Sequence, residues 1–449
     1  MKRIVDQYLI DWKDSPYRKP LLLRGARQVG KTYAVRQFGK TFENFVEINF
    51  ESDENARNVF NGDLDPERII RDLSIIIRRP IVPGQTLIFF DEIQGVPKAL
   101  TALRYFYEKL PVQHIIAAGS LLDFTTQEIG IPVGRVTSLY MYPLSFFEFL
   151  CACGYSLAAK EILKASADNP MTEVIHQMLI KLLGEYLAIG GMPEAVLNWK
   201  TTKDPLLCLE IHRSLIDTYR QDFGKYAQKF QIKYIETLFD SIPLQLGKKF
   251  KYSAIPGDYR KRELLPCFDL LNTAGVIQPV LRSYGNGIPL GAEADPNDFK
   301  VIFLDVGLSQ TILGLDLKSW FLDPEREFVN KGELVEAFVG QEFLAYSHPT
   351  QKSNLFYWRR KAPGSEAEVD YLIQDKAQVI PIEVKSAMGT TLKSMHMFLE
   401  SHPKSPYGIR ISAHNYSILD TIKSYPLYAI VKIMLQNWKE DIRYYEALL

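Results

Sequence analysis

Short apolar runs alternate with longer amphipathic stretches over the first 150 residues. PLLLRG, FVEINF, TLIFFDE and HIIAAGS each look like a buried strand. Between them, 66–79 and 98–110 repeat apolar positions at helical spacing, as do Ile4, Val5, Tyr8, Leu9 and Trp12 ahead of the first run. Strands separated by helices predict a parallel sheet covered on both sides. The pattern changes after residue 150. Segments 174–187 and 206–223 are strongly helical, with GGMPE as a breaker between them. A short helix pair over 260–274 precedes VIQPVLRSYG and DFKVIFLD, which read as a hairpin around the loop NGIPLGAEADPND. Helices followed by a hairpin suggest a winged helix. From Gly332, the helix GELVEAFVGQEFLAYS leads into three strands, LFYWRR, AEVDYLI and QVIPIEVKS, then a helix over 392–399 and a strand near 407–411. The expected organisation is a parallel α/β core over 1–150, a helical region over 151–248, a winged-helix-like module over 249–325 and a mixed α/β domain over 326–449.

Composition adds exclusions. The 449 residues are 47% hydrophobic and 24% charged, an ordinary globular balance. Lys+Arg and Asp+Glu are 53 each, and residues 1–150 carry 19 basic and 18 acidic side chains, so no polybasic arm is hidden by segregation. Any nucleic-acid contact must rest on a local patch. Four cysteines cannot form a secreted disulfide framework, and Cys151-x-Cys153 has no histidine near it. The N-terminus lacks the apolar stretch of a signal peptide, and the apolar runs are too short to span a bilayer. A cytoplasmic chain without a membrane span is expected.

The first chemical constellation is Gly25-Ala26-Arg27-Gln28-Val29-Gly30-Lys31-Thr32, the pattern GxxxxGK[ST]. It follows an apolar strand and opens a helix at Tyr33. Glycines let backbone N–H groups curl around a polyphosphate, and the helix dipole favours the anion. Lys31 is expected on the terminal phosphates and Thr32 on Mg²⁺, with residues 25–33 forming the ATP cradle. TLIFFDE supplies Asp91 as an expected Mg²⁺ partner, beside the first strand's loop, and Glu92 to orient or deprotonate the attacking water. Ser120, ending HIIAAGS, is a candidate contact to the γ-phosphate or that water; a plain turn is the alternative.

Here the chain resembles a family. LLLRGARQVGKT, FFDEIQ, AAGSLL and GRVTSLYMYPLSFFEFL are similar to prokaryotic AAA+-type ATPases with a C-terminal domain of unknown function. YLAIGGMPEAV, FLDVGLSQ, GELVEAFVGQEF and YWRR…EVDYLI…PIEVKS extend the likeness over most of the chain. The resemblance implies an αβα core and Mg²⁺-dependent ATP hydrolysis. It also implies a trans-acting arginine, for which Arg135 is the nearest candidate and Arg27 and Arg104 are weaker ones.

A second constellation lies in the last domain. Asp370 followed by Glu383-Val-Lys385 fits D-x(n)-[DE]-x-K, a pattern that chance alone supplies about once in a chain of this length. Its placement gives it weight. Glu368 and Asp370 share one strand face, Glu383 and Lys385 another, and the charges interrupt otherwise apolar runs. Glu336 stands on the preceding helix. This order looks like a PD-(D/E)xK nuclease-like core, in which Glu336, Asp370 and Glu383 would hold a metal ion and Lys385 would orient water. A half-buried ionic network is the alternative. Tyr357, Trp358, Arg359, Arg360 and Lys361 could contact a nucleic acid. Lys248, Lys249, Lys251 and Arg260–Arg262 could do so from the winged-helix-like module. Two functions stay open: an ATPase driving a nucleic-acid-cleaving domain, or a nucleotide switch whose nuclease-like domain only binds a protein partner or another copy of the chain.

Overall fold

The computed structural model describes residues 1–119, 134–362, 365–385, 392–438 and 442–449. They form two compact units. The first is Arg3–Tyr142 with His348–Lys352; the second is Met1–Lys2, Pro143–Ser347 and Ser353–Leu449.

The first unit is a five-stranded parallel sheet with helices. Its strands are β1 (Leu21–Arg24), β2 (Asn44–Asn49), β3 (Thr86–Asp91), β4 (His114–Ala118) and β5 (Thr137–Tyr140). Its helices are α1 (Ile4–Asp14), α2 (Lys31–Gly39), α3 (Glu54–Val59), α4 (Pro66–Ile77) and α5 (Pro97–Lys109). Every residue of β1, β3 and β4 is buried, which is why these strands read as unbroken apolar runs. α4 starts where Asp65 accepts a hydrogen bond from the Arg68 N–H and Pro66 fixes the first turn. Leu22, Ile48, Ile88, Phe90, Leu103 and Ile115 share one core.

The strand order is β2-β3-β4-β1-β5. β3, which carries Asp91, is not the neighbour of β1; β4 lies between them, with Leu21–Leu23 paired to 116–118. β5, within the string GRVTSLYMYP, is an additional strand, parallel to β1 on its other side.

The second unit combines a run of helices, among them Glu173–Ile189, Pro205–Tyr226 and Lys261–Thr273, with one mixed sheet. The strands are β6 (Ile277–Ser283), β7 (Ala294–Phe303), β8 (Leu355–Ala362), β9 (Ser365–Asp375), β10 (Gln378–Lys385), β11 (Gly408–Ser412), β12 (Ser417–Leu419) and β13 (Ile422–Pro426). They run in the order β12-β13-β11-β10-β9-β8-β6-β7. The helix Gly332–Ala345 precedes the antiparallel meander β8-β9-β10. The helix Lys393–Ser401 follows, and β11 then adds parallel to β10.

The hairpin β6–β7 forms as expected after the helix Lys261–Thr273. It is not a separate module, because β6 pairs in parallel with β8 and makes the hairpin the edge of the same sheet. Sheet continuity across position 325 satisfies the backbone groups of β8 that would otherwise be an open edge.

The family-like strings are load points of this second unit. Ser145 and Glu148 cap the helix Phe146–Ala152 reciprocally, Glu342 Oε1 accepts from the Phe146 N–H at 2.8 Å, and the Tyr346 hydroxyl accepts from the Phe147 N–H at 3.2 Å. Asp305 of FLDVGLSQ accepts from the Gly191 N–H at 2.6 Å and caps its own helix at Leu308. PLSFFEF, GGMPE and FLDVG are therefore held by hydrogen bonds that bind the unit together.

Candidate functional site

The loop after β1 has a backbone that few residues tolerate. Gly25 has φ 137°, Gly30 φ 99° and Gln28 φ 64°. A Cβ on Gly25 would fall on the carbonyl oxygen of Met141. Ala26 and Val29 turn into the core, so the loop offers its backbone outward rather than those side chains. Gly30 is the residue before α2, and Lys31 and Thr32 are its first turn.

Lys31 is buried, and its Nζ donates to the carbonyls of Gly25 and Ala26, each at 2.8 Å. Thr32 Oγ1 donates to Asp91 Oδ2 at 3.2 Å, although β4 intervenes between their strands. The ends of β1 and β3 thus meet across the top of β4. Burial first, and then the neighbouring Glu92, raise the Asp91 carboxyl above its ordinary range. Glu92 has φ 53° at the turn leaving β3. Its Oε2 accepts from Gln94 Nε2 at 2.5 Å. Gln94 lies against Gly119, where a Cβ would displace its side-chain amide.

Ser120 lies outside the described residues. Tyr33 is exposed beside the loop. Arg135 pairs with Glu108 of its own unit at 2.8 Å, and Arg104 joins the same carboxylate at 3.1 Å. Arg3, not anticipated from sequence, braces the loop from behind: Nη1 donates to the Val29 carbonyl at 3.1 Å and Nη2 to that of Tyr142 at 2.8 Å. Only the Arg3-x-x-Asp6 helix start marks it in the sequence, and that does not point to the loop.

The carboxylates of the second unit also converge, and a lysine from β7 joins them. Ile382 opposes Tyr371, which brings Glu383 alongside Asp370. Asp370 Oδ2 accepts from the Val384 N–H at 2.8 Å. The group among the acids is the ammonium of Lys300, from β7 and 1% exposed. Its Nζ lies 2.6 Å from Glu368 Oε1, 2.9 Å from Glu336 Oε1 and 3.7 Å from Asp370 Oδ1. Lys385 pairs with Glu383 Oε1 at 2.7 Å. Burial opposes the charge on Lys300, but Glu336, Asp370 and Glu368 outweigh it and hold its pKa well above the ordinary value. Burial pushes the Glu383 carboxyl up to about 7, aided by Asp370. Among the described residues, no three His, Cys, Asp or Glu side chains are arranged to hold a metal ion. Among the acids expected to hold a metal ion, Glu336, Asp370 and Glu383, Lys300 places an ammonium beside Glu336 and Asp370.

Lys300 sits in DFKVIF, where a lone charge interrupts an apolar run. The same reasoning that singled out Glu383 and Lys385 could have found it. Arg359 lies at the rim, 3.8 Å from Glu368. In the helical and hairpin region, Lys248 pairs with Glu333 and Lys249 with Asp298, so part of that basic cluster is neutralised within the unit.

Comparison with known proteins gives the class. Residues 17–150 match a family described as an AAA domain, and residues 180–319 and 331–430 match two families described as domains of unknown function. An uncharacterized protein of Haemophilus influenzae is 28% identical over 214 residues, 45% of this chain and 46% of its own length. The uncharacterized protein MJ1544 of Methanocaldococcus jannaschii is 27% identical over 179 residues, 39% of this chain and 36% of its own length. The chain thus spans less than half the length of these curated relatives. Among solved structures, the Walker-type ATPase paby2304 of Pyrococcus abyssi aligns with 69% of this chain and 95% of its own at 17% identity and TM-score 0.43. The RuvB Holliday junction branch migration motor of Thermotoga maritima aligns with 70% and 94% at 11% identity and TM-score 0.30. With its parallel sheet and phosphate-loop geometry, the N-terminal unit is an AAA-type P-loop ATPase-like domain. No helix among the described residues is long and apolar enough to cross a membrane.

Proposed function

We propose that the chain binds and hydrolyses ATP with Mg²⁺. The observation that carries this is the Thr32–Asp91 hydrogen bond at the mouth of the Gly25–Thr32 loop. A hydroxyl and a carboxylate facing one space are hard oxygen donors of the kind Mg²⁺ takes, so the residues present fit the ion. When bound, the ion neutralises charge on the transferring phosphoryl group. The backbone N–H groups of residues 25–33 receive the phosphates. Lys31, in exchanging its bonds to Gly25 and Ala26 for phosphate oxygens, carries its charge only a short way. Glu92 orients the attacking water and takes its proton once Gln94 releases Oε2. The test is Mg-ATP turnover by the full chain. Glu92→Gln should retain nucleotide binding and lose most turnover; equal turnover in both proteins refutes the assignment.

For the second unit we favour the interaction module over the nuclease. The supporting observation is Lys300, whose ammonium pairs with Glu336 and Glu368 and lies 3.7 Å from Asp370, among acids that a metal-dependent phosphodiesterase would keep for its ion. The helix–meander–helix–strand order supports the PD-(D/E)xK-like reading of the fold, and fold does not fix chemistry. The partner is a protein, another copy of the chain, or a nucleic acid held by Arg359 and Arg360 without cleavage. An Mg²⁺-dependent cleavage assay on DNA and RNA, with and without ATP, decides between them. Cleavage that disappears in Asp370→Asn refutes the module.

A further inference from the structure

The position of Lys300 has a consequence for ion binding. Four carboxylates, Glu336, Glu368, Asp370 and Glu383, lie within one network with two ammonium groups, Lys300 and Lys385. The acids come from the helix Gly332–Ala345 and from β9 and β10, whereas Lys300 comes from β7, on the far edge of the sheet. Its Nζ lies over the ring of Tyr357, 5.2 Å from the centroid. Tyr357 is itself fixed by donating to Asp298 Oδ1 at 2.6 Å. Other oxygens of the cluster are committed as well. Asp370 Oδ2 takes the Val384 N–H, and Glu383 Oε1 takes Lys385. Mg²⁺ would need about six oxygens at roughly 2.0–2.1 Å, a shell that an ammonium among Glu336, Glu368 and Asp370 excludes.

We infer that Lys300 is the resident cation of this centre, so that this cluster binds no divalent ion and its acids form a metal-type site only when Lys300 is removed. The inference rests on the module reading given above, and it explains how a carboxylate cluster can persist in the sheet without metal. Lys300 is 1% exposed and held by three acids, so an ion could take its place only by displacing the ammonium into the surrounding core. Glu383 Oε2 is buried without a hydrogen-bond partner and would become a ligand in the opened site.

The experiment is calorimetric titration of the full chain with Mn²⁺ in the absence of nucleotide. An Asp91→Asn background removes the contribution of the phosphate-loop site. With Lys300 intact, no stoichiometric binding that depends on Asp370 is expected. Lys300→Met, which keeps the length of the stem and drops the charge, should gain one site in about the 10⁻⁴–10⁻³ M range of weak oxygen-ligand sites. Adding Asp370→Asn to Lys300→Met should abolish it. Mn²⁺ binding with Lys300 present that is lost on Asp370→Asn overturns the inference. So does a folded Lys300→Met protein that takes up no ion. Should Lys300→Met fail to fold, the Lys300-containing protein and its Asp370→Asn variant still decide the matter. The cleavage assay is read separately. Ion binding without cleavage would sink this inference and leave the module reading standing; cleavage without ion binding would do the reverse.

Discussion

Glu342 offers a sharp test of how the second unit is held together. Its side chain is 2% exposed and lies between the Phe146 N–H, which it accepts at 2.8 Å, and the Tyr346 hydroxyl, with the Glu148 carboxylate nearby. Burial is the main reason its carboxyl is pushed up to about 8 from an ordinary 4.5. In the unfolded chain it ionises near 4.5, and in the folded chain it stays protonated until about pH 8. Stability from this group is therefore fully present below pH 4.5 and declines as pH rises towards 8. At 1.36 kcal/mol per unit the decline is about 5 kcal/mol across the interval and about 3 kcal/mol by pH 7. Glu342→Gln keeps a carbonyl for Phe146 and never ionises. It should match wild type within about 1 kcal/mol at pH 5 and exceed it by about 2–4 kcal/mol at pH 8. Glu342→Ala leaves the Phe146 N–H without its acceptor and opens a cavity, so it should lose about 2–4 kcal/mol at both values. Urea unfolding at pH 5, 6.5 and 8, followed by tryptophan fluorescence, reads the transition of this unit, because of the five tryptophans only Trp12 belongs to the other. Parallel pH slopes for wild type and Glu342→Gln, or a Gln variant weaker than wild type at pH 8, would refute the reasoning.

Three further outcomes follow from the nucleotide site. Lys31→Ala should abolish ATP binding, since the ammonium that meets the terminal phosphates is lost; unchanged affinity by equilibrium titration would contradict the phosphate-loop assignment. Gly25→Ala should lower stability by at least about 2–3 kcal/mol and weaken nucleotide binding, because a Cβ meets the Met141 carbonyl at φ 137°. Gly84→Ala, at φ 85° with open space around it, should lower stability by only about 1 kcal/mol and leave binding intact; equal effects in paired melts would show that the Met141 contact does not matter. Arg135→Ala should leave turnover near wild type, given its exposed pairing with Glu108, whereas a loss of about a thousandfold or more at unchanged affinity would reinstate it as the trans-acting arginine.

What the sequence determined by itself is local. Gly25–Thr32 could be read because the glycine spacing, the lysine and the helix that follows are consecutive, and their conformation depends on neighbours in the chain. The apolar strands β1, β3 and β4 were legible because burial on both faces leaves no polar alternation. The convergence of Glu368 with Asp370, and of Glu383 with Lys385, followed from the two-residue period of a strand. Tertiary structure alone decided which strands are neighbours. It placed β4 between β1 and β3 while still bringing Asp91 to Thr32, and it joined the hairpin β6–β7 to the sheet of β8. It also decided what stands among the acids. Lys300 precedes Glu336 by 36 residues and Asp370 by 70, and no periodicity links positions so far apart. Their meeting is fixed by pairing across β6, β8 and β9, where the side chain that fills the space determines whether a carboxylate cluster takes a metal or an ammonium.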